Sequence, residues 1–393
     1  MPTWTGSRRV AVIPAIPVSA GNVQVGNVPA DFQAQVSRRI FYDPDPVSNL
    51  DRSLRKYIFS ASYGRAWLDA DVLDAVTVTW EHPGTDPDPS VGADVGKTMG
   101  NAIAASQPRV ANYQYVMVVF PPGIPNIRSW AFWGGAQATS YMFLDSPLGA
   151  WAMELLHMVT EFGDLYGPPA DRPLSPGNLD EMDTAGAMHP STFTKLRMGW
   201  LDPVSVQVVD PQQGASNHIL HPLALLQPAP DGRVTALKIP FLDRANHYLL
   251  VEAREWLDEY DRNTPGLAEG IPIEGLAIYD VDEALWPPLW LKSQGLKVGG
   301  VYEDTNRNVR VEVLAHFAGG GFNVAVKAVT VAEDPRCAGL RARIASLQRQ
   351  IQELTDSLTG DRRSDAPIRR AIANLKTQLA RTQSTATQLG CKP

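Results

Sequence analysis

The amino-acid sequence predicts an α+β protein with three successive parts. In residues 1–200, short β-rich apolar runs alternate with segments of helical periodicity, which indicates a mixed α/β domain. Residues 201–332 contain short alternating segments separated by turn residues, as in a β-rich domain. Residues 333–393 carry apolar side chains at heptad spacing. Because 393 residues exceed one typical core, we expect each part to form its own domain.

The first part contains predicted strands and helices that are typical of a layered α/β domain. Val10–Ile13 and Tyr115–Phe120 read as strands buried in a sheet, and Val72–Trp80 alternates like an exposed strand. Lys97–Ser106 and Leu148–Phe162 have helical spacing. The second of these helices carries one apolar stripe, formed by Trp151, Leu155, Met158 and Phe162.

The second part contains six predicted strands, which fit an antiparallel sandwich or a β-rich extension of the first domain. The three glycines Gly319–Gly321 predict a hairpin turn before the last strand. The predicted strands are Val204–Val209, Val234–Ile239, Tyr248–Glu252, Leu276–Val281, Val309–Leu314 and Phe322–Val331.

The third part is predicted to be an antiparallel helical hairpin, a short coiled coil with two apolar seams. The polar segment 360–364 separates the seams, and Asp365 before Pro367 predicts a capped helix start. The first seam contains Leu340, Ile344, Leu347, Ile351, Leu354 and Leu358, and the second contains Ile368, Ile372, Leu375, Leu379, Thr382, Ala386 and Leu389.

Pairing of the two seams brings Cys337 near Cys391, which are the only cysteines of the chain. We expect a disulfide, which would stabilise the hairpin by about 3–4 kcal/mol; the alternative is two free thiols. A disulfide implies an oxidising or extracellular compartment. The sequence shows no signal peptide, because the first apolar run, Val10–Pro14, is too short for a signal-peptide core.

The helix predicted at 148–162 contains Met153-Glu-Leu-Leu-His157, which matches the zinc-binding pattern H-E-x-x-H except at its first residue. In that pattern two histidines on one helix face hold zinc, and the glutamate acts as the general base. Glu154 and His157 keep the required offsets. Met153 supplies a thioether, which suits Cu(I) better than Zn²⁺.

Further motifs along residues 8–330 follow the order found in the immune-inhibitor-A-type metallopeptidases, a family of secreted bacterial zinc proteases that this chain resembles. The resemblance implies a metalloprotease-like α/β domain, and the C-terminal hairpin lies outside it. The motifs are Ser60-Ala-Ser-Tyr-Gly64, Asp164-Leu-Tyr166, Leu179-Asp-Glu-Met182, His189–Trp200, Tyr248–Arg254 and Gly275–Asp282.

The chain departs from this family at three positions of the zinc motif. Met153 replaces the first histidine, and Thr160 stands where the family has a glycine. One additional residue separates His157 from Asp164, the residue that matches the family's carboxylate ligand. The departures predict an impaired zinc site on a retained fold.

The resemblance also implies roles for other residues near this helix. Asp164 would join His157 as a metal ligand, and Met182 and Tyr166 would pack beneath the site. If the enzyme is active, Glu154 is its general base; without a metal, we expect Glu154 to be a helix-face carboxylate that hydrogen-bonds His157.

Two further side chains are alternative ligands. Glu161 lies one helical turn beyond His157 and is predicted to share its face. His189 could supply a nitrogen, although a histidine before Pro-Ser is more often the start of a helix, here with Ser191 as the cap.

We expect no metal to bind tightly, and zinc and calcium are the candidate metals. Zinc would occupy the altered motif, where one histidine and one or two carboxylates make a weak site. Calcium would bind paired aspartates, whose alternative role is to cap turns. These pairs are Asp43 with Asp45 and Asp280 with Asp282.

The overall charge excludes some classes of partner. A net charge of −7 gives no broad attraction to nucleic acid, and no apolar run is long enough to span a membrane. We therefore expect a protein or peptide partner, bound by the cleft or the hairpin, with oligomerisation through the hairpin as an alternative. The hairpin arginines that suit such contacts are Arg341, Arg343, Arg349, Arg362, Arg363, Arg369 and Arg370.

Two functions are consistent with these features. The first is a pseudopeptidase, a metallopeptidase-like protein with an impaired zinc site that acts as a binding or structural module. The second is an active zinc endopeptidase with a non-standard ligand set of His157 and Asp164.

Overall fold

The computed structural model divides the chain into two compact units, Met1–Ala328 and Val329–Pro393. The first unit contains both N-terminal parts that the sequence predicts, and the second is the helical pair. The structure describes the whole chain except residues 1–2, 20, 47–48, 81–90, 125–128, 134, 168–173, 231, 242, 263–269, 330–335, 359–364, 390 and 392–393.

A mixed sheet forms the first layer of the larger unit. Its strands, in spatial order, are β2 (Ala66–Val72), β1 (Gly6–Val18), β4 (Tyr115–Phe120), β6 (Ala138–Phe143) and β5 (Trp130–Phe132), and β3 (Val76–Thr79) also pairs with β1. All pairings are parallel except that of β5 with β6. The single strand predicted at Val72–Trp80 is wrong, because the long β1 pairs first with β2 and then with β3.

Helices cover both faces of this sheet. They are α1 (Phe32–Phe41), α2 (Leu54–Ala61), α3 (Val91–Ala105) and α4 (Leu148–Thr160). Residues Met117 and Val119 of β4 pack in the core that contains α1, α2 and α4, whereas Val116 and Val118 pack in the core that contains α3. This alternation explains why the strand is apolar throughout.

Two five-stranded sheets follow. They are built from β7 (Val206–Val208), β8 (Ser216–Leu220), β9 (Arg233–Val234), β10 (Ala236–Pro240), β11 (His247–Arg254), β12 (Gly275–Asp282), β13 (Leu289–Leu296), β14 (Val301–Asp304), β15 (Val309–His316) and β16 (Phe322–Lys327). One sheet has the order β13-β12-β11-β10-β7 and the other β14-β15-β16-β8-β9. The predicted turn at Gly319–Gly321 is confirmed, because it joins the antiparallel strands β15 and β16.

The sheet with the order β13-β12-β11-β10-β7 is buried on both faces. Leu249 and Val251 of β11 pack against the sheet with the order β14-β15-β16-β8-β9, so the two sheets form a sandwich. Tyr248 and Leu250 belong to the core that also contains α4. One hydrophobic core therefore continues across the domain boundary that the sequence predicts near residue 200.

The smaller unit consists of α7 (Arg336–Asp356) and α8 (Ala366–Gln388). The predicted disulfide is confirmed: Cys337 and Cys391 are bonded, with Cα atoms 5.3 Å apart, so the helices run antiparallel. The predicted cap at Asp365 is wrong, because its side chain makes no capping hydrogen bond and lies 3.8 Å from the Arg369 guanidinium. The predicted turn at 360–364 lies outside the described residues. None of the described helices has the length and apolar character needed to cross a bilayer.

Candidate functional site

Helix α4 carries the altered zinc motif through the interior of the larger unit. Every side chain from Trp151 to Thr160 is buried, so the helix is buried on all sides and not only along the predicted apolar stripe. The helix ends two residues earlier than predicted. Glu161 adopts a left-handed backbone with φ 57° and is exposed, so it does not share a helix face with His157.

The chain turns back after Glu161 and places two acceptors on the His157 ring. Nδ1 bonds the carbonyl oxygen of Phe162, and Nε2 lies 2.9 Å from Oδ1 of Asp164. The predicted hydrogen bond from Glu154 to His157 is therefore wrong, because both ring nitrogens are already used. The sequence predicts that His157 and Asp164 lie together as metal ligands. In the structure they lie together as hydrogen-bond partners.

An imidazole ring between two acceptors donates from both nitrogens and so carries two protons. Burial opposes this charge on His157, but the hydrogen bond to Asp164 and the nearby Glu154 raise its pKa above the usual value. A doubly protonated ring has no lone pair to offer a metal. Metal binding at His157 would require the ring to lose the proton that it donates to Asp164.

Glu154 is the other polar residue of the motif. Its side chain is buried except for 8%, and within the described residues no hydrogen bond reaches its carboxyl group. Burial raises the pKa of Glu154 to about 7, although His157 acts in the opposite direction. Glu154 is thus a buried acid whose charge the protein does not fully compensate.

The donor set does not fit a zinc ion. Met153, one turn before His157, is buried and contributes only a thioether sulfur. In the part of the chain that the structure describes, no group of three or more His, Cys, Asp or Glu side chains could hold a metal. Catalytic zinc sites use three protein ligands, whereas Asp164 and His157 are two. We therefore derive no chemical step through zinc.

The residues predicted beneath the site lie in different environments. Met182, in the short helix α5 (Glu181–Thr184), is fully buried, and its carbonyl oxygen accepts a hydrogen bond of 2.9 Å from Leu165. Tyr166 is half exposed, and its position beneath the site stays a prediction. The chain leaves the core directly after Leu165.

His189 belongs to a second buried cluster. Its Nε2 donates to Asp258 at 2.5 Å, and its Nδ1 lies 3.0 Å from the Lys195 ammonium, so its ring is not a ligand beside His157. Ser191 caps α6 (Thr192–Met198), as predicted.

The same cluster contains Arg254, which sequence reasoning did not assign. Its guanidinium contacts Asp261 at 2.9 Å and Glu252 at 3.2 Å, and all three side chains are buried. It also donates to the carbonyl oxygens of Leu179 and His189. The motifs His189–Trp200 and Tyr248–Arg254 therefore meet in one network that fastens α6 to the sandwich.

Three of the four aspartates proposed for calcium contact cationic side chains. Asp280 accepts from His247 at 2.8 Å and from Arg307 at 2.7 Å, and Asp282 pairs with Arg244. Asp43 pairs with Arg39 at 3.0 Å. These ion pairs take up the negative charge that a calcium ion would need.

Exposed aromatic side chains lie near the altered motif, and no sequence pattern predicts them. Trp130, Phe132 and Trp133 lie exposed on or beside β5, and Trp133 stacks on the His157 ring with 5.5 Å between centroids. Trp286, half exposed, packs against Phe162 at 5.7 Å.

Comparison of the chain with protein-family models and with curated proteins finds no match. The resemblance to immune-inhibitor-A-type metallopeptidases therefore stays a prediction that rests on the sequence motifs. What the structure adds is a mixed α/β fold in which helix α4, the strand β5 and the loop after α4 meet around His157.

Proposed function

We propose that this protein is a pseudopeptidase: it keeps a peptidase-like cleft, binds an extended peptide segment there, and does not cleave it. The stacking of Trp133 on His157 is the observation that carries this proposal, because it joins an open sheet edge to the altered motif. The resemblance to metallopeptidases adds the expectation that the natural ligand is a polypeptide.

The open edge supports peptide binding. Among the described strands β5 is the last of its sheet, and its outer edge faces no other strand. Trp130 is 51% exposed and Trp133 is 45% exposed, so two indoles present apolar surface to the solvent at this edge. An extended peptide that adds to such an edge gains main-chain hydrogen bonds, and flanking aromatic side chains provide apolar contacts.

The geometry of the motif supports the absence of cleavage. A zinc protease needs a metal-bound water beside its glutamate, and the metal needs three protein ligands. Here Met153 offers sulfur, and both nitrogens of His157 donate to protein oxygens. Without a polarised water, Glu154 has no nucleophile to activate.

The competing function is an active zinc endopeptidase. One observation favours it: Nδ1 of His157 bonds a backbone carbonyl, which is how metal-binding histidines are commonly oriented. In this alternative Nε2 and Asp164 would hold the zinc, and Glu154 would be the general base. The zinc content of the protein distinguishes the two functions.

We further propose that the hairpin is a second interaction surface, for a partner protein or another copy of the chain. Its seam is only half covered: Leu347 and Ala386 are buried, whereas Ile344 and Leu379 keep intermediate exposure. The disulfide between Cys337 and Cys391 supports an oxidising, extracellular location for this function.

The peptide-binding proposal is tested with unfolded casein as the probe. We expect casein to bind intact, and to protect β5 and β6 from hydrogen exchange. Trp133→Ala should weaken binding by about tenfold, which corresponds to about 1.4 kcal/mol. Trp67→Ala is the matched control, because Trp67 is equally exposed on β2 at the other edge of the sheet. Equal losses in both variants, or no binding, would refute the proposal.

A further inference from the structure

We infer that the site around Glu154 recognises a cationic side chain, a lysine or an arginine, of the bound peptide. This inference rests on the proposed peptide-binding function and names the residue class that the site selects. It follows from an unpartnered buried carboxyl group, an excess of acidic groups, and two exposed indoles at one place.

The unpartnered group is the Glu154 carboxyl. Two other buried glutamates of this unit accept several hydrogen bonds: Glu252 accepts from the Thr192 amide and from Arg254, and Glu255 accepts from His316 and the Gly321 amide. Glu154 accepts none within the described residues, yet it keeps a small accessible surface. A buried carboxylate without a donor is costly, so a ligand that brings a charged donor gains a strong interaction.

The surroundings of Glu154 have an excess of negative charge. The imidazolium of His157 is already bonded to Asp164. Asp164 acts electrostatically on Glu154 and on Asp183, so Glu154 and Asp164 share one cationic ring while Asp183 adds a third carboxyl group near Asp164. A positively charged ligand group is attracted to this arrangement, and an acidic one is repelled.

Two indoles flank this acidic site. Trp133 covers the His157 ring from the β5 side. Trp286 packs against Phe162, whose carbonyl oxygen bonds His157, and lies directly over Gly163, where a Cβ atom would stand only 2.5 Å from the indole. Exposed indole faces bind ammonium and guanidinium groups through cation–π contacts. Glycine at position 163 is thus what permits Trp286 to lie beside the acidic loop.

The charge of the whole unit agrees with a basic ligand. Residues 329–393 contain 11 Lys and Arg against 6 Asp and Glu, so they carry +5 of the total of −7, and residues 1–328 carry −12. Such a field increases the rate at which basic peptides meet the surface. The local site then discriminates between side chains at close range.

The inference is tested with arrays of N-terminally acetylated nonapeptides that have randomised flanks and a fixed central Lys, Arg, Gln or Glu. Acetylation removes the positive charge of the N-terminal amine, so differences between the sets report on the central side chain. The intact chain should bind the Lys and Arg sets at least about tenfold more tightly than the Gln set, and the Glu set least. Glu154→Gln should remove the preference by lowering the affinity for the Lys and Arg sets to that for the Gln set. Asp74→Asn, which removes one exposed charge elsewhere in the unit, should keep the preference.

The outcomes separate this inference from the function on which it rests. Equal binding of all four sets would overturn cation recognition and leave peptide binding standing. Binding to none of the sets would overturn both. A preference that Asp74→Asn weakens as much as Glu154→Gln would show that the overall field selects the ligand, which also overturns the inference.

Discussion

The indole of Trp133 stacks on the imidazole of His157, with 5.5 Å between ring centroids and 25° between planes. Trp133 follows the edge strand β5, and His157 lies on helix α4, so this contact joins the open edge of the sheet to the altered metal motif. The proposed peptide-binding edge and the altered motif are therefore parts of one feature.

Replacing Met153 by histidine should restore part of the zinc site. A second imidazole one turn before His157 provides the missing nitrogen on the same helix face, and we expect zinc affinity to rise by at least about tenfold. Competition titration with a zinc indicator measures this. Met158→His places a histidine on α4 beside His157 in sequence but off the i, i+4 face, and it should give no gain. Equal affinity of Met153→His and the unmodified protein would mean that the cleft has been remodelled.

Glu154→Gln should change how stability depends on pH. Burial raises the pKa of Glu154 to about 7 from 4.5, so the folded protein holds a proton that the unfolded chain releases. Stability is therefore lost as pH rises from about 4.5 through about 7, by about 3 kcal/mol for this group alone. The glutamine variant lacks this loss, so urea unfolding should show its stability rising relative to that of the unmodified protein between about pH 4.5 and pH 7. A stability difference that does not vary with pH would contradict this reading.

Arg254→Ala should strongly destabilise the larger unit. It leaves Glu252 and Asp261 as buried, unpaired carboxylates, and the expected loss is about 3–5 kcal/mol in urea unfolding. Arg310→Ala is the control, because Arg310 pairs with surface glutamates and its loss should have a much smaller effect. Similar effects of the two variants would show that the buried network does not hold α6 to the sandwich.

Reduction of the disulfide between Cys337 and Cys391 should loosen the hairpin without unfolding the larger unit. The bond closes a sequence separation of 54 residues, and its loss should cost the smaller unit about 3–4 kcal/mol. Hydrogen exchange in α7 and α8 should accelerate, while exchange in β11 and β12 stays unchanged. The double variant Cys337→Ser and Cys391→Ser should exchange quickly with or without reductant. Unchanged protection after reduction would contradict this prediction.

Local periodicity was sufficient for much of the fold. The buried strand at Tyr115–Phe120 and the helix that begins at Leu148 are found as predicted, because their apolar patterns reflect burial directly. The heptad spacing likewise predicted the helical pair and its disulfide. The prediction of a single strand at Val72–Trp80 is wrong, because the pattern does not show that β1 pairs with two successive strands, β2 and then β3.

The site was less accessible to sequence reasoning, because it depends on tertiary contacts. Strand β5 has only three residues, too few to show a period. The partners of His157 follow from the left-handed turn at Glu161, which returns the chain over the ring. Arg254 lies in a predicted strand, and nothing local shows that its charge meets Asp261 in the interior.

The most direct test of the account is the zinc content of the protein, purified without chelator and measured by mass spectrometry together with its activity on casein. We expect far less than one zinc per chain and no cleavage, since His157 and Asp164 bond each other and Met153 offers no nitrogen. One zinc per chain, with casein cleavage that Glu154→Gln abolishes, would contradict it.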